Sequence, residues 1–360
     1  MEPRICSNEE DHHAQYAMQL ASASVLPMAL KAAIELGVLE SISEAESEAK
    51  LSPQIASKLP TQNNPDAPLI LDRILRLLAS HSILTCSQAN QDGQVLRLYG
   101  LAPVAKYFLR NKDRGSLHPL FDLIQDKVIL DMWYNLKDAV LEWGLPFNLA
   151  HGMGAIKYVG RDARFCEIFK ASMADYNSLF VEELLKTYKG FEGLTSLVDV
   201  GGGNGSILHM IVSKYPTIKG INFDLPHIIE KASPNLGIDH VAGDMFVSIP
   251  KADAIFMKWM LHSWDDDHWL KILENCFEAL PVNGKVMVVD LVIPEDPETE
   301  TGVAAKSLFQ MDLFMMNMNA NGKERTDKEF QSLAKAAGFS HVRVPFCANN
   351  FSVVESYKNA

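Results

Sequence analysis

The chain has 360 residues, too many for one ordinary hydrophobic core and suited to two domains. Hydrophobic residues make up 48% and charged residues 22%, as in soluble globular proteins. The formal charge of −12 argues against a nucleic-acid partner, because no excess of cations is present to displace counterions from phosphate.

The first ten or so residues, Met1-Glu2-Pro3-Arg4 running into Glu9-Glu10-Asp11, read as frayed and lack the basic start and apolar core of a secretory signal. From Gln15 to Leu39 the chain is expected to be helical, with Pro27 starting a second helix. Ser52 is the expected N-cap of a short helix, with Pro53 at its first position. Between Pro65 and Ser80, Ile70, Leu71, Ile74, Leu75, Leu77 and Leu78 recur at helical spacing. Two β-like runs, Ile83–Cys86 and Val95–Tyr99, flank a polar loop with Asp92-Gly93. Helix, helix, hairpin is the winged-helix pattern. The second helix carries few basic residues, so the pattern points to a packing and dimerisation module rather than a DNA reader.

Ser116 to Tyr188 reads as helical and rich in aromatic residues and methionine, part core and part pocket wall. From Leu197 strands and helices alternate. Expected strands are Leu197–Val200, Lys219–Phe223, His240–Ala242, Ala254–Lys258 and Lys285–Ile293, with helices at Ser206–Tyr215 and Asp266–Leu280. A helix near Thr326 precedes two late strands, His341–Phe346 and Ser352–Tyr357. This is an α/β pattern, a mostly parallel sheet covered on both faces with an antiparallel hairpin at one edge. The expected division is an N-terminal domain over 1–120 and a second domain over 121–360. Within the latter, 121–189 is a helical, pocket-forming segment and 190–360 is the cofactor-binding core. Cys6, Cys86, Cys166, Cys276 and Cys347 stand singly, five in all, which suits a reducing compartment and no zinc site. With no apolar run long enough for a membrane helix, the expectation is a cytoplasmic protein with no membrane partner.

Leu197-Val198-Asp199-Val200-Gly201-Gly202-Gly203-Asn204-Gly205 is an apolar strand entering a glycine turn before a helix. Glycine permits the sharp turn and the close approach of a ligand. Asp224 ends the next strand, where a carboxylate can accept both ribose hydroxyls. Gly243-Asp244-Met245 follows the third strand, with Asp244 placed for an adenine edge and Met245 for its face. A nicotinamide dinucleotide fold shares this layout, but its loop would read GxGxxG. The extra acid Asp199 suits a ligand with a positive centre and no pyrophosphate, which favours S-adenosylmethionine.

His262 follows the fourth strand, at the carboxyl edge where open α/β sheets bind ligands. Asp290 is expected at the end of the fifth strand, beside it. Glu324 lies in Asn321-Gly322-Lys323-Glu324-Arg325-Thr326, just before a helix. A histidine with two carboxylates can serve as an oriented general base. The run Asp265-Asp266-Asp267-His268 is better read as acids at a helix start than as a metal site. The competing readings are a nicotinamide dehydrogenase and a non-enzymatic ligand-sensing regulator built on the winged-helix module.

At these motifs the chain resembles the plant caffeic acid O-methyltransferases, metal-independent phenolic O-methyltransferases. The likeness runs through Ala17–Met28, Leu197–Gly205, Gly220–Pro226, Gly243–Pro250 and Gly322–Thr326. It implies a homodimer with a winged-helix-like dimerisation domain and a Rossmann-like class I methyltransferase domain with a seven-stranded sheet. It implies S-adenosyl-L-methionine as donor, S-adenosyl-L-homocysteine as product, no metal and a small phenolic substrate. Cofactor contacts fall on Gly201, Asp224, Leu225, Asp244, Met245 and Lys258, the base on His262, and its flanking acids on Asp290 and Glu324. The acceptor pocket falls on Ile124, Phe169, Met173, Trp259, Met315, Met318 and Asn319. Three positions depart from the family pattern. Asp290 stands where Glu is usual, Ser263 where an acid follows the base, and Ile124 replaces the Asn of an Asn-Gln-Asp-Lys segment. One wall of the pocket therefore loses polar partners. The implied acceptor is a larger, less polar phenol such as a lignan, flavonoid or benzylisoquinoline, with caffeic or 5-hydroxyferulic acid as the alternative.

Overall fold

The computed structural model describes residues 9–44, 50–60, 64–91, 94–110, 115–234, 236–297 and 302–359. The residues before Glu9, expected to fray, and the Asp92-Gly93 loop tip lie outside them. Two units separate by their contacts, Met1–Leu130 with Glu167–Tyr176, and Asp131–Cys166 with Asn177–Ala360.

The first unit runs α1 (Glu9–Ala21), α2 (Val25–Glu35), α3 (Val38–Ser43), β1 (Lys50–Leu51), α4 (Ser52–Ala56), α5 (Ala67–Ser80), β2 (Leu84–Gln91), β3 (Gln94–Leu101) and α6 (His118–Ile124), and α7 (Lys127–Trp133) crosses its boundary. Leu71, Leu75 and Leu78 of α5 form a buried stripe at helical spacing, packed with Leu39, Ile55 and Tyr99. The Tyr99 hydroxyl donates to Asp72 Oδ1 at 2.7 Å, satisfying the polar end of a ring that is otherwise fully buried. β1, β3 and β2 make an antiparallel sheet, so the helix, helix, hairpin pattern is present. Three local expectations need correction. The break after α1 falls at residues 22–24, and Pro27 sits in the first turn of α2, where its missing N–H costs nothing. Leu51, not Ser52, is the N-cap of α4, and its backbone N–H donates to Gln54 Oε1 at 2.9 Å. The hairpin strands extend over polar residues such as Ser87 to Gln91, because ladder bonds hold them without an apolar pattern.

The second unit holds α8 (Leu136–Glu142), α9 (Pro146–His151), α10 (Ala155–Arg161) and the outer parts of the long α11 (Ala163–Thr187). It then alternates β4 (Ser196–Val200), α12 (Ser206–Lys214), β5 (Lys219–Asp224), α13 (Pro226–Ile229), β6 (Ile238–Ala242), β7 (Ala254–Lys258), α14 (Asp266–Ala279), β8 (Lys285–Ile293), α15 (Val303–Met318), β9 (Arg325–Thr326), α16 (Asp327–Ala336), β10 (His341–Ala348) and β11 (Phe351–Tyr357). Seven strands lie in the order β10-β11-β8-β7-β4-β5-β6, and the two-residue β9 pairs with β8. The central strands are parallel, and β11 pairs antiparallel with both β8 and β10. β7 is buried at every residue and β8 at its six central positions, 286–291, which is why both read as mainly apolar runs. Asn349 and Asn350 turn the β10–β11 hairpin with φ of 50° and 68°, the left-handed backbone a two-residue hairpin requires. Trp269, Ile272, Leu273 and Cys276 of α14 form the core with Val286 and Val288 of β8 and Phe330 of α16. The chain reverses its winding between β4 and β7, so their carboxyl ends frame the crevice where such sheets bind ligands. No single helix among the described residues is long and apolar enough to cross a membrane.

Candidate active site

The glycine turn leaves β4 with its backbone in the left-handed region. Gly201 has φ of 72°, a conformation only glycine adopts without cost. At Gly202 a Cβ would lie 2.2 Å from Asn222 Oδ1 and 2.7 Å from Asp199 Oδ2, so no side chain fits there. The backbone N–H of Gly203 donates to Asp224 Oδ2 at 2.9 Å, and that of Leu225 to Asp224 Oδ1 at 2.7 Å. Asp224 is thereby locked at the end of β5, and each oxygen retains lone pairs for further donors. Behind the loop, Asn222 Nδ2 donates to Gly203 O at 3.0 Å and lies 3.0 Å from His240 Nδ1. Asp199 is buried in β4, and burial, reinforced by the Asp224 charge, pushes its carboxyl up to about 8. Asp244 is exposed after β6 and accepts from the Phe246 N–H at 2.9 Å, while Met245 is half-buried against the core. Leu225 is exposed. Lys258 ends β7, with Nζ 3.8 Å from the Phe351 ring centroid and donating to Asn177 Oδ1 at 2.6 Å. Burial brings its ammonium down to about 7, against the opposing charges of Asp290 and Asp199.

His262 sits on a 3₁₀ turn, Leu261–Ser263, just beyond β7. Its Nδ1 lies 3.0 Å from Glu324 Oε1. His262, Asp290 and Glu324 are all buried, and one ligand atom from each falls within 4.8 Å of the others. Asp290 is interior to β8 rather than at its end, because β11 extends the pairing past it, Ser352 opposite Asp290 and Phe351 opposite Leu291. Burial sets the protonation of the trio. It lowers His262 to about 4, against the pull of Asp290. It raises Asp290 to about 7 and Glu324 to about 8, the latter helped by Asp312. Asp312 also orients Glu324, accepting its backbone N–H at 2.9 Å. The resting site thus favours a neutral imidazole able to take a proton.

Trp259 leads into the turn with φ of 51°, unusual for a bulky residue, and its ring lies 5.4 Å from the His262 ring. Met315 and Met318 are half-buried on α15. Asn319 follows them, but its amide is engaged by the protein. Nδ2 donates to Ser263 O at 3.1 Å, and Oδ1 accepts from Asn321 N at 3.3 Å. Ile124 closes α6, and Phe169 and Met173 lie on the stretch of α11 that belongs to the first unit, all three half-buried. Asp265 is a helix cap, accepting from His268 N at 3.0 Å, and Asp266 accepts from Arg325, so the acidic run has structural partners. Sequence reasoning missed Asn177, Asp312 and the bonding of Arg325. Arg325 stood beside Glu324 in a quoted motif, and an arginine in that company was the available signal.

A family model described as an O-methyltransferase domain matches residues 133–340, and one described as an O-methyltransferase dimerisation domain matches 18–111. Caffeic acid 3-O-methyltransferase 1 of Populus tremuloides is 56% identical over 100% of this chain and 98% of its own length. Caffeic acid 3-O-methyltransferase of Medicago sativa is 55% identical over 99% and 97%. Among solved structures, the methyltransferase CalO1 of calicheamicin biosynthesis superposes with a TM-score of 0.80 at 23% identity, over 97% of this chain and 99% of that one. Human N-acetylserotonin methyltransferase superposes at 0.76 and 19%, over 99% of both. These two share the fold.

Proposed function

The chain belongs to the O-methyltransferase family, and from that premise we propose that it methylates a phenolic hydroxyl with S-adenosylmethionine, using His262 as base. The observation that carries this reading is the buried trio of His262, Asp290 and Glu324 at the carboxyl edge of the sheet. Gly201, Asp224, Leu225, Asp244, Met245 and Lys258 would hold the donor. The acids at three strand ends suit a cationic ligand, and the left-handed turn at Gly201 is one that only glycine makes without cost. The donor, when bound, supplies a methyl carbon already activated by positive sulfur.

A free phenol has a pKa of about 10 and an imidazole about 6.5, so full transfer to an ordinary histidine is uphill by roughly 5 kcal/mol. With His262 near 4, the gap widens to about 6 units, roughly 8 kcal/mol. Asp290 and Glu324 must therefore be ionised to hold the imidazolium, and Glu324 orients it through Nδ1. Nε2 would take the phenolic proton as the donor's methyl passes from sulfur to the phenolic oxygen, leaving S-adenosyl-L-homocysteine, so that no free phenolate forms. Positioning of the two reactants supplies much of the remaining rate.

The reaction is proposed to be metal-independent. Nδ1 is engaged by Glu324, which leaves a metal only Nε2, the nitrogen that the phenolic proton needs. Methyl transfer from labelled donor should persist in excess EDTA. Loss of activity restored by magnesium would overturn the role of His262. The chain is proposed to act as a homodimer. The dimerisation-domain match and the exposed Tyr16, Met18, Leu20 and Val25 of α1 and α2 support this, and sedimentation tests it.

For the acceptor, the relatives' names favour caffeic acid. The apolar Ile124 and the uncharged Ser263 favour a larger phenol, since an unpaired buried polar substituent costs roughly 1–3 kcal/mol. A competition assay over a phenol panel, with Ile124→Asn beside the wild type, decides between them. A larger phenol leading by tenfold, with Ile124→Asn shifting preference toward caffeic acid, supports the second reading. Caffeic acid leading in both proteins removes it.

A further inference from the structure

Four successive carbonyls around the base are each taken by a donor from outside the turn. Trp269 Nε1 donates to Leu261 O at 2.7 Å, and the Lys323 N–H to His262 O at 3.0 Å. Asn319 Nδ2 donates to Ser263 O at 3.1 Å, and Arg325 Nη2 to Trp264 O at 2.8 Å. A single 3₁₀ turn has little internal bonding to define its shape. Here its shape is imposed by its neighbours, and three of the four donors come from the segment 319–325.

Arg325 binds more of the site than the other donors do. Its side chain is buried, with the guanidinium 4.7 Å from the Trp269 ring centroid. Nε and Nη2 also donate to Asp266 Oδ1, at 3.0 and 2.7 Å, fixing the first turn of α14. Its backbone pairs with Val292 of β8, the strand that carries Asp290, and Glu324 immediately precedes it. One residue is therefore tied to the turn of His262, the strand of Asp290 and the backbone of Glu324. The planar fork reaches Trp264 O and Asp266 together, which a single ammonium cannot do in the same geometry.

We propose that Arg325, assisted by Asn319, is a positioning residue that sets the separation of His262 from Glu324 and Asp290. The proposal rests on the reading of His262 as base. It also gives Asn319 a task distinct from acceptor binding.

The test is a double-mutant cycle of Arg325→Lys with His262→Ala, using caffeic acid as acceptor probe. Donor affinity is measured by calorimetry. Arg325→Lys should lower kcat by about 10- to 100-fold, the scale expected when a reacting group is displaced by about 1 Å. Donor Kd and the KM for caffeic acid should stay within about twofold. The loss should vanish in the His262→Ala background, because a residue acting through the base has nothing left to act on. Asn319→Ala, at a half-buried loop position, carries the same cycle if Arg325→Lys does not fold. The Nδ1 proton resonance of His262, assigned by its absence from His262→Ala, reports the contact with Glu324 without any acceptor. It should move upfield in either variant. An undiminished loss in the His262→Ala background, a raised KM with unchanged kcat, or an unmoved resonance would overturn the proposal. Wild-type turnover by His262→Ala would instead overturn the base assignment on which it rests.

Discussion

Asp290 and Glu355 are carboxylic acids on neighbouring strands of one sheet, both essentially shut off from solvent, yet their carboxyls are shifted in opposite directions. Burial pushes each of them up. At Glu355 that push is overcome by donors on both oxygens. Lys285 Nζ and the Tyr188 hydroxyl reach Oε1 at 2.6 and 2.5 Å, and Arg343 Nε and the Tyr357 hydroxyl reach Oε2 at 2.7 Å each. The carboxyl falls to about 2. Among the described residues neither oxygen of Asp290 finds a hydrogen-bond donor, so burial, reinforced by the neighbouring Glu324, raises its carboxyl to about 7. Burial alone therefore does not say whether an acid is structural or reactive. The count of donors does, and the reactive acid is the one left short of them.

The largest effect that sharpens this contrast is on stability. Glu355→Gln leaves Lys285 and Arg343 without their anion, and removing one partner of a buried pair costs about 3–5 kcal/mol. Its denaturant midpoint should fall clearly, while Asp290→Asn should hold or raise the midpoint and lose turnover. A destabilised Asp290→Asn with normal turnover would erase the distinction.

Next comes the rate. His262→Ala should lower the maximal rate by about 100-fold or more, the scale of a general base. Calorimetric donor affinity should be nearly unchanged. Normal turnover with weakened donor binding would move His262 out of the reactive group.

A smaller loss is expected at Asp224. It resembles Glu355 in having both oxygens held, but by backbone N–H groups that leave room for a ligand. Asp224→Ala should weaken donor binding at least about tenfold, since a hydrogen bond to a charged group is worth about 1.5–3 kcal/mol. An unaltered titration would place the ribose elsewhere.

The smallest effects are in pH dependence, and the two acids should differ in sign. Glu355 is depressed in the fold, so its contribution is complete above about 4.5 and is lost as pH falls toward 2. Asp290 and Glu324 are raised, so the folded state holds their protons more tightly and stability declines as pH climbs from about 4 through 7 and 8. Activity should rise over the upper part of that window, as the acids that hold the imidazolium ionise. Denaturant midpoints from pH 2 to 9 and rates from pH 5 to 9 check both. A rate that falls across pH 7 to 8 would contradict the role given to the acids.

Much of the second unit was legible in its sequence because parallel strands buried on both faces are predominantly apolar, as residues 254–257 and 286–289 are. Thr326 and Glu329 likewise announce α16 by forming its capping box. The hairpin of the first unit was only half legible, since its outer residues are polar and are ordered by pairing alone. His262 and Glu324 could be singled out by motif and by position at the sheet edge. The Glu355 cluster could not, because Tyr188, Lys285 and Glu355 meet only through the sheet, and nothing local in Phe351-Ser352-Val353-Val354-Glu355 says that the acid will be buried among donors. Asn319 was assigned to the acceptor because its position in a motif does not reveal that Ser263 O would claim its amide.

The insertion of β11 between β8 and β10 has a consequence for how the protein is made. While a ribosome has delivered β8 but not yet Phe351–Tyr357, the edge of Val286-Met287-Val288-Val289 facing away from β7 is an open, apolar pairing template. Over the same interval Asp290 lacks the strand that later pairs opposite it. The interval before β11 pairs is thus the one most exposed to aggregation.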